Sequence, residues 1–186
     1  MNHIQNTSHR LKIPKWLHEL HGEYSTRGDL ILTHITAWTL TGLSVWFSLM
    51  HEYALWVTIL MAILMVDIAG GVISNFTQGT NRYYADRPQK RTVFLILHLI
   101  QPILLLLMFP EYTFQISPIV LFTLFSSFFV NYLRESQLQK TTAVFLTVVG
   151  LTGILILPIE FIGLQLILIL FLLKLILSFP VDWYSK

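Results

Sequence analysis

Six long apolar segments constrain the fold of this 186-residue chain more than any other feature of its sequence. A helix needs roughly 20 mostly apolar residues to cross a bilayer, and lipid provides no partner for the backbone groups of an open strand. The sequence therefore predicts an all-α, multi-pass membrane protein with six transmembrane helices in one bundle. The predicted spans cover residues 30–50, 54–76, 93–109, 116–132, 141–159 and 161–180.

The composition excludes several other classes of protein. Only 12% of the residues are charged, whereas a soluble domain usually has about 25%. This low value argues against an ordinary soluble enzyme, a disordered chain and a nucleic-acid-binding protein. Because the chain has no cysteine, disulfide scaffolds, thiolate metal sites and cysteine nucleophiles are also excluded. We predict no metal site.

Basic residues are distributed unevenly along the chain. Every Lys and Arg except Lys174 falls on a connection that the six spans place on one side of the membrane, or in a terminus on that side. The three opposite hairpins contain Glu52, Glu111 and Glu160 but no Lys or Arg. Loops rich in Lys and Arg stay in the cytoplasm. We therefore expect a cell-membrane protein with both termini in the cytoplasm.

The N-terminal segment lacks the apolar core and cleavage site of a signal peptide, so the first span is expected to direct insertion. Ile13, Trp16, Leu17 and Leu20 lie at helical spacing, with basic side chains around the other face. This pattern predicts an amphipathic helix over 13–21 on the membrane surface, or one packed on the cytoplasmic loops. The expected divisions are a cytoplasmic segment 1–29, a six-helix domain 30–180 and a cytoplasmic tail 181–186.

Ionisable residues interrupt four predicted spans, all in their cytoplasmic halves. At about 1.5 Å per residue, His34, His98 and Lys174 lie roughly 6–9 Å from the cytoplasmic boundary, and Asp67 lies about 13 Å from it. Such groups usually face the interior of a bundle, where they can mark a functional site. Spans one, two, three and six are therefore expected to form a cytoplasm-facing polar pocket. The predicted cluster comprises His34, Asp67, Asn75, His98, Gln101 and Lys174.

Each member of this cluster also has a structural interpretation. Asp67 is either a working residue or a neutral, hydrogen-bonded structural acid. Lys174 either pairs with Asp67 or extends its ammonium to cytoplasmic water. The two histidines are either hydrogen-bond partners between helices or ligands and proton carriers. A b-type haem between His34 and His98 is one further option, and no other cofactor is predicted.

Two backbone features accompany the cluster. Gly70 and Gly71 follow Asp67 closely and allow another helix or a ligand to approach the backbone. Pro102 has no N–H to donate to the carbonyl of His98, which is expected to leave a backbone acceptor beside the imidazole.

The connection between the second and third spans is the most basic part of the chain. Arg82, Arg87, Lys90 and Arg91 lie there. Their default role is to set the topology, and they can in addition bind a phosphate or an anionic lipid headgroup. Anionic lipids of the bilayer are the expected partners, and the oligomeric state is left open.

The sequence contains no motif that identifies a reaction, so the catalytic residues stay unknown. The leading hypothesis is a protein that binds or transports a proton, a cation or a small solute in the polar pocket. One alternative is a small enzyme acting on a lipid or an isoprenoid at the inner leaflet, with Asp67 or His98 as general base. Another is a non-catalytic membrane subunit or assembly factor.

Overall fold

The computed structural model describes residues 10–184, and its architecture is all-α. Within this range, nine α-helices and two three-residue strands follow one another along the chain. In chain order they are β1 Arg10–Lys12, α1 His18–His21, β2 Tyr24–Thr26, α2 Arg27–Met50, α3 Leu55–Phe76, α4 Gln78–Ala85, α5 Pro88–Leu97, α6 Ile100–Met108, α7 Thr113–Tyr132, α8 Gln139–Ile156 and α9 Ile162–Leu172.

Five helical segments of the described chain are long and apolar enough to cross a membrane, counting α5 with α6 as one and adding the 3-10 turns that flank α7. They are Arg27–Met50, Leu55–Phe76, Pro88–Met108, Pro110–Glu135 and Gln139–Ile156. The sixth apolar segment, Ile162–Ser178, consists of α9 and a π-helical turn and is shorter than these five. The prediction of membrane-length helices is therefore confirmed for five segments and not for the sixth.

The third membrane-length segment is interrupted near its centre. α5 ends at Leu97 and α6 begins at Ile100, with His98 and Leu99 in a turn between them. Pro102 explains the interruption, because it cannot donate to the carbonyl of His98 and its ring crowds that carbonyl. The segment also begins before the predicted residue 93, because Pro88 occupies the first helical turn, where proline is favoured.

α2 and α3 pack against each other along a face of small side chains. Ser48 and Thr58 share a hydrogen bond of 2.7 Å across this contact. Small residues at an interface allow two helix backbones to approach closely, which replaces the missing hydrophobic driving force in lipid. The buried face of α2 consists of Thr33, Ala37, Thr41, Ser44 and Ser48.

α9 lies at the centre of the bundle, where it packs against α2, α3, α7 and α8. Leu168 and Phe171 of α9 and Met61, Met65 and Ile68 of α3 are fully buried. Because α9 is enclosed on several sides, its sequence is apolar all round rather than on one face.

The two ends of the bundle differ in chemistry. At one end, which we call the aromatic end, Tyr53, Phe109 and Phe161 join the α2–α3, α6–α7 and α8–α9 connections, with ring centroids 4.7–5.5 Å apart. The other end, the polar end, contains the N-terminal segment, α4, the α7–α8 turn and residues after 178. Aromatic contacts hold the first end together, whereas hydrogen bonds and ion pairs predominate at the second.

The last described residues are held at the polar end by buried hydrogen bonds, an arrangement we call the tail clamp. Asn81 donates to the carbonyl of Val181 over 2.7 Å, and Gln139 donates to the carbonyl of Pro180 over 2.7 Å. Arg91 contacts Asp182 and the same Pro180 carbonyl. The tail clamp therefore connects α4, α5 and α8 to the segment that follows α9.

The N-terminal segment differs from the predicted amphipathic helix over 13–21. Its helical part covers a 3-10 turn, Lys15–Leu17, and the single turn of α1, while the antiparallel pair of β1 and β2 brackets both. His21, predicted on the polar face, is buried, and Trp16 is 80% exposed. Tertiary contact explains this difference, because α1 packs against α4 and α3.

A pair of glycines brings this segment against α4. Gly22 has a φ of 72°, which favours glycine, and a Cβ there would lie 2.2 Å from the carbonyl carbon of Gly79. A Cβ on Gly79 would lie 2.2 Å from the carbonyl oxygen of Tyr24. Both positions therefore require glycine for the segment to dock.

Candidate functional site

Asp67 of α3 and Lys174, which follows α9, form an ion pair at the centre of the candidate site. Nζ of Lys174 lies 2.8 Å from Oδ2 of Asp67 and donates over 3.1 Å to the Asp67 carbonyl. Gln101 of α6 donates to the same Oδ2. The lysine side chain is buried, whereas 51% of the aspartate side-chain surface is exposed. Three elements thus meet at one carboxylate oxygen.

A π-helical turn carries Lys174 into this position. Residues Leu173–Ser178 form the turn, and the amide of Phe179 donates to the carbonyl of Lys174 over 3.0 Å. π-helical turns inside helices are rare and frequently occur at functional sites. Because α9 offers the lysine no polar partner, its ammonium depends on Asp67 of α3 for its hydrogen bonds.

Gly71 provides the space that the lysine side chain occupies. A Cβ at Gly71 would lie 2.4 Å from Cε and 2.8 Å from Nζ of Lys174. Its neighbour Gly70 faces α2 instead, where a Cβ would make an ordinary contact of 3.4 Å with Ala37. The two glycines therefore serve different contacts, although they are adjacent in sequence.

His98 lies at the break between α5 and α6. Its ring stacks on Phe94 at 3.9 Å, and Nζ of Lys174 lies 5.6 Å from the centre of the same Phe94 ring. Phe179 stacks on Phe94 at 3.7 Å. The aromatic rings therefore place the imidazole beside the ion pair. We call His98, Asp67, Gln101 and Lys174 the polar network.

Three hydrogen-bond acceptors of the polar network have no partner within residues 10–184. Both bonds to the Asp67 carboxylate involve Oδ2, so Oδ1 is free. Oε1 of Gln101 is buried without a partner. Because Nδ1 of His98 donates to the carbonyl of Phe94, the buried Nε2 is left as an acceptor without a partner. Buried acceptors without a partner are rare, and the two found here, together with Oδ1 of Asp67, favour a proton, a cation or a hydrogen-bond donor as ligand.

Two residues of the predicted cluster lie outside this network. The exposed His34 of α2 contacts the ring of His21, with centroids 5.5 Å apart. Asn75 is buried near the end of α3, and its Nδ2 has no hydrogen-bond partner among the described residues. The ring of His98 stacks on Phe94. A b-type haem between His98 and His34 stays a prediction.

The four predicted phosphate- or headgroup-binding residues have different surroundings. Arg91 is buried in the tail clamp and also donates to Asn131 over 3.0 Å. Lys90 contacts Glu19 at 2.7 Å. Arg87 contacts Glu23 at 2.7 Å. These three cations therefore hold parts of the chain together.

Arg82, the fourth of these residues, lines a cavity of about 290 Å³ at the polar end. Three basic and three acidic side chains contribute to its wall, so its charge is mixed. They are Arg10, Arg82, Arg87, Glu23, Asp29 and Asp86. This wall does not have the positive excess expected of a dedicated phosphate site.

Several residues of the site are absent from the sequence-based prediction. Phe94 and Phe179 orient His98, and Asp182 pairs with Arg91. One signal was present, because Phe94 lies four residues before His98 and shares its helix face. The contacts of Phe179 and Asp182 join segments far apart in sequence and leave no local pattern.

The described chain contains no group of three His, Asp or Glu side chains that could hold a metal ion. No protein family, curated protein or solved structure matches this chain.

Proposed function

We propose that this chain is a multi-pass membrane protein that exchanges a cation for a proton at the Asp67–Lys174 pair. One observation carries the proposal: a buried lysine pairs with a carboxylate, and two buried acceptors without partners in the described chain, Oε1 of Gln101 and Nε2 of His98, adjoin that pair. Ionisable residues inside a membrane are costly and mark ion and proton pathways.

The exchange conserves the charge of the site. An entering cation binds the Asp67 carboxylate and displaces the ammonium of Lys174. An unpaired ammonium in a buried position is strongly disfavoured, so Lys174 releases its proton and becomes neutral. Asp67 is then paired with the cation, and one positive charge has replaced another. Nε2 of His98 is the acceptor in the network that can receive this proton and then release it to the aqueous phase, which returns the imidazole to its neutral form and the site to its original charge.

The backbone around the network allows such a change. Lys174 lies in a π-helical turn and His98 lies at a helix break, and both features are sites where a helix can bend. A small shift of either segment would separate the ammonium from the carboxylate. Discontinuous helices of this kind surround ion sites in many transporters.

The proposed membrane arrangement has six spans. Ile162–Ser178 connects the aromatic end to the polar end, since Phe161 contacts Tyr53 and the tail clamp holds residues 180–182. We assign this segment as the sixth span, and we assign the polar end to the cytoplasmic side of the cell membrane because Lys and Arg are concentrated there.

Proteoliposomes containing a pH-sensitive dye test this function. On external addition of Na⁺, K⁺ or decyltrimethylammonium, at least one cation should raise the internal pH, because a proton leaves as the cation enters. Asp67→Asn should abolish the response, whereas the loop variant Glu160→Gln, a matched acid-to-amide change, should retain it. An equal response in Asp67→Asn, or none with any cation in the unaltered protein, would refute the exchange.

A further inference from the structure

Asp67 belongs to a helix face that points away from the bundle. Trp56, Ile59 and Ile63 precede it on α3 at helical spacing, and each is at least half exposed. Half of the Asp67 side-chain surface is exposed along with them. Asp67 lies nine residues before the end of α3, which corresponds to about 13 Å along the helix. Its open side therefore faces the hydrocarbon region and not the aqueous end.

A carboxylate in this position is unusual. Ionisable groups inside a membrane almost always face the bundle interior or a water-filled cavity. Two cavities at the polar end are lined by residues of the N-terminal segment, the polar-end turns of α2, α4 and α8 and the adjoining connections, and neither includes Asp67. Lys174 and Gln101 bind Oδ2 from the bundle side, and Oδ1 is without a partner in the described chain.

We propose that the ligand of this site is a lipophilic organic cation that reaches Asp67 laterally from the bilayer. The proposal rests on the exchange function and names its substrate class. The positive head would bind the free side of the Asp67 carboxylate, and the apolar tail would lie on the face formed by Trp56, Ile59 and Ile63. The charge of the head and the apolar character of the tail match these two parts of the surface.

Other occupants fit this surface less well. In a two-fold dimer the same patch lies on both subunits, so a second copy on this face would bring one Asp67 toward the other. Like charges in a medium of low dielectric constant repel strongly. A hydrated inorganic ion is equally unsuited, because a lateral route would take it through hydrocarbon.

Two carbodiimides test the direction of access in lipid nanodiscs. A lipophilic carbodiimide partitions into the bilayer, and a water-soluble one does not. We expect the lipophilic reagent to modify Asp67, as detected by peptide mass spectrometry, and the water-soluble reagent to leave it unmodified. Glu160 in the exposed α8–α9 loop is the internal control for the water-soluble reagent, and Asp67→Asn is the control for assignment of the labelled peptide.

Two quaternary ammonium ions then test the ligand. Tetramethylammonium and decyltrimethylammonium have similar charged heads, and only the second has an apolar tail. At a concentration roughly ten times its dissociation constant, decyltrimethylammonium should occupy most of the sites and slow the labelling of Asp67 about tenfold. Tetramethylammonium at the same concentration should have no effect.

The results separate this inference from the exchange function. Labelling by the water-soluble reagent, or equal protection by both ammonium ions, would overturn lateral access even if exchange depends on Asp67. Labelling without any protection would overturn the ligand class. Absence of labelling together with a dimer in native mass spectrometry would assign the face to a second copy. If exchange itself does not depend on Asp67, the proposed function fails whatever the labelling shows.

Discussion

The adjacent glycines Gly70 and Gly71 have different packing neighbours, so the two positions have different roles. Both follow Asp67, and the sequence predicts only that some close approach occurs there. In the structure Gly71 adjoins Lys174, whereas Gly70 adjoins Ala37. The difference arises from the 100° rotation between consecutive helical residues, which directs the two positions toward different neighbours.

Gly71→Ala should impair exchange at Asp67 and lower the melting temperature. The new methyl group would overlap Cε of Lys174, so the flexible lysine side chain has to move away. Its buried ammonium would then leave the carboxylate, which is costly because a buried charge loses its partner. Gly70→Ala is the matched control, since its Cβ would make only an ordinary contact. Exchange rates in proteoliposomes and melting temperatures measure the two effects, and equal exchange in both variants would contradict this assignment.

At the scale of elements, interrupted helices surround the site. Pro102 predicts the loss of a hydrogen-bond donor to the His98 carbonyl, because that loss follows from covalent structure, and the structure has a helix break at this position. The π-helical turn at Lys174 has no comparable signal, since residues 173–178 read as an ordinary apolar helix. Its conformation depends on the partners that Lys174 and the tail find in other helices.

Docking of the N-terminal segment should weaken as the pH falls. Burial and the neighbouring His34 lower the pKa of His21 from 6.5, so the docked state binds a proton less readily than the undocked state. The contribution of His21 to docking is then fully present above pH 6.5 and decreases progressively below it. Hydrogen exchange at residues 18–26, corrected for intrinsic rates, should accelerate from pH 7 to 5.5.

His21→Phe provides the control for this pH effect. Phenylalanine keeps an aromatic ring of similar size but cannot be protonated. Corrected exchange in the variant should therefore be the same at both pH values. A pH dependence that survives the substitution would show that another group controls docking.

At the scale of the whole molecule, the tail clamp joins the end of the chain to three helices. Arg91 and Asp182 are both largely buried, with side-chain exposures of 1% and 10%. Removal of one partner from a buried ion pair leaves an uncompensated charge and typically costs about 3–5 kcal/mol. The clamp also adjoins the turn that carries Lys174, so it connects stability with the site.

Arg91→Ala should therefore destabilise the protein by about 3–5 kcal/mol. Arg87→Ala is the matched control, because the Arg87–Glu23 pair is partly exposed and such pairs contribute at most about 1 kcal/mol. Equilibrium unfolding in mixed micelles measures both values. Similar losses in the two variants would contradict a structural role specific to Arg91.

The proposed topology can be tested with single cysteines, since the chain has none of its own. In intact cells a membrane-impermeant maleimide should label Glu52→Cys and should not label Gln137→Cys or Tyr184→Cys. Labelling of Gln137→Cys would show that the polar end lies outside the cell, which is the opposite of the proposed orientation. Labelling of Tyr184→Cys alone would show that Ile162–Ser178 does not return the chain to the cytoplasmic side.

The sequence alone determined the all-α class, the apolar helices and the missing hydrogen-bond donor to the His98 carbonyl. These features depend on local physical chemistry: hydrophobic length, backbone hydrogen bonding and the missing N–H of proline. Tertiary structure decided which polar residues meet. The packing of the helices pairs Lys174 with Asp67, places His34 beside His21 and buries Arg91 against Asp182. Those contacts join residues up to 107 positions apart, and spacing along a chain does not encode which helices pack together.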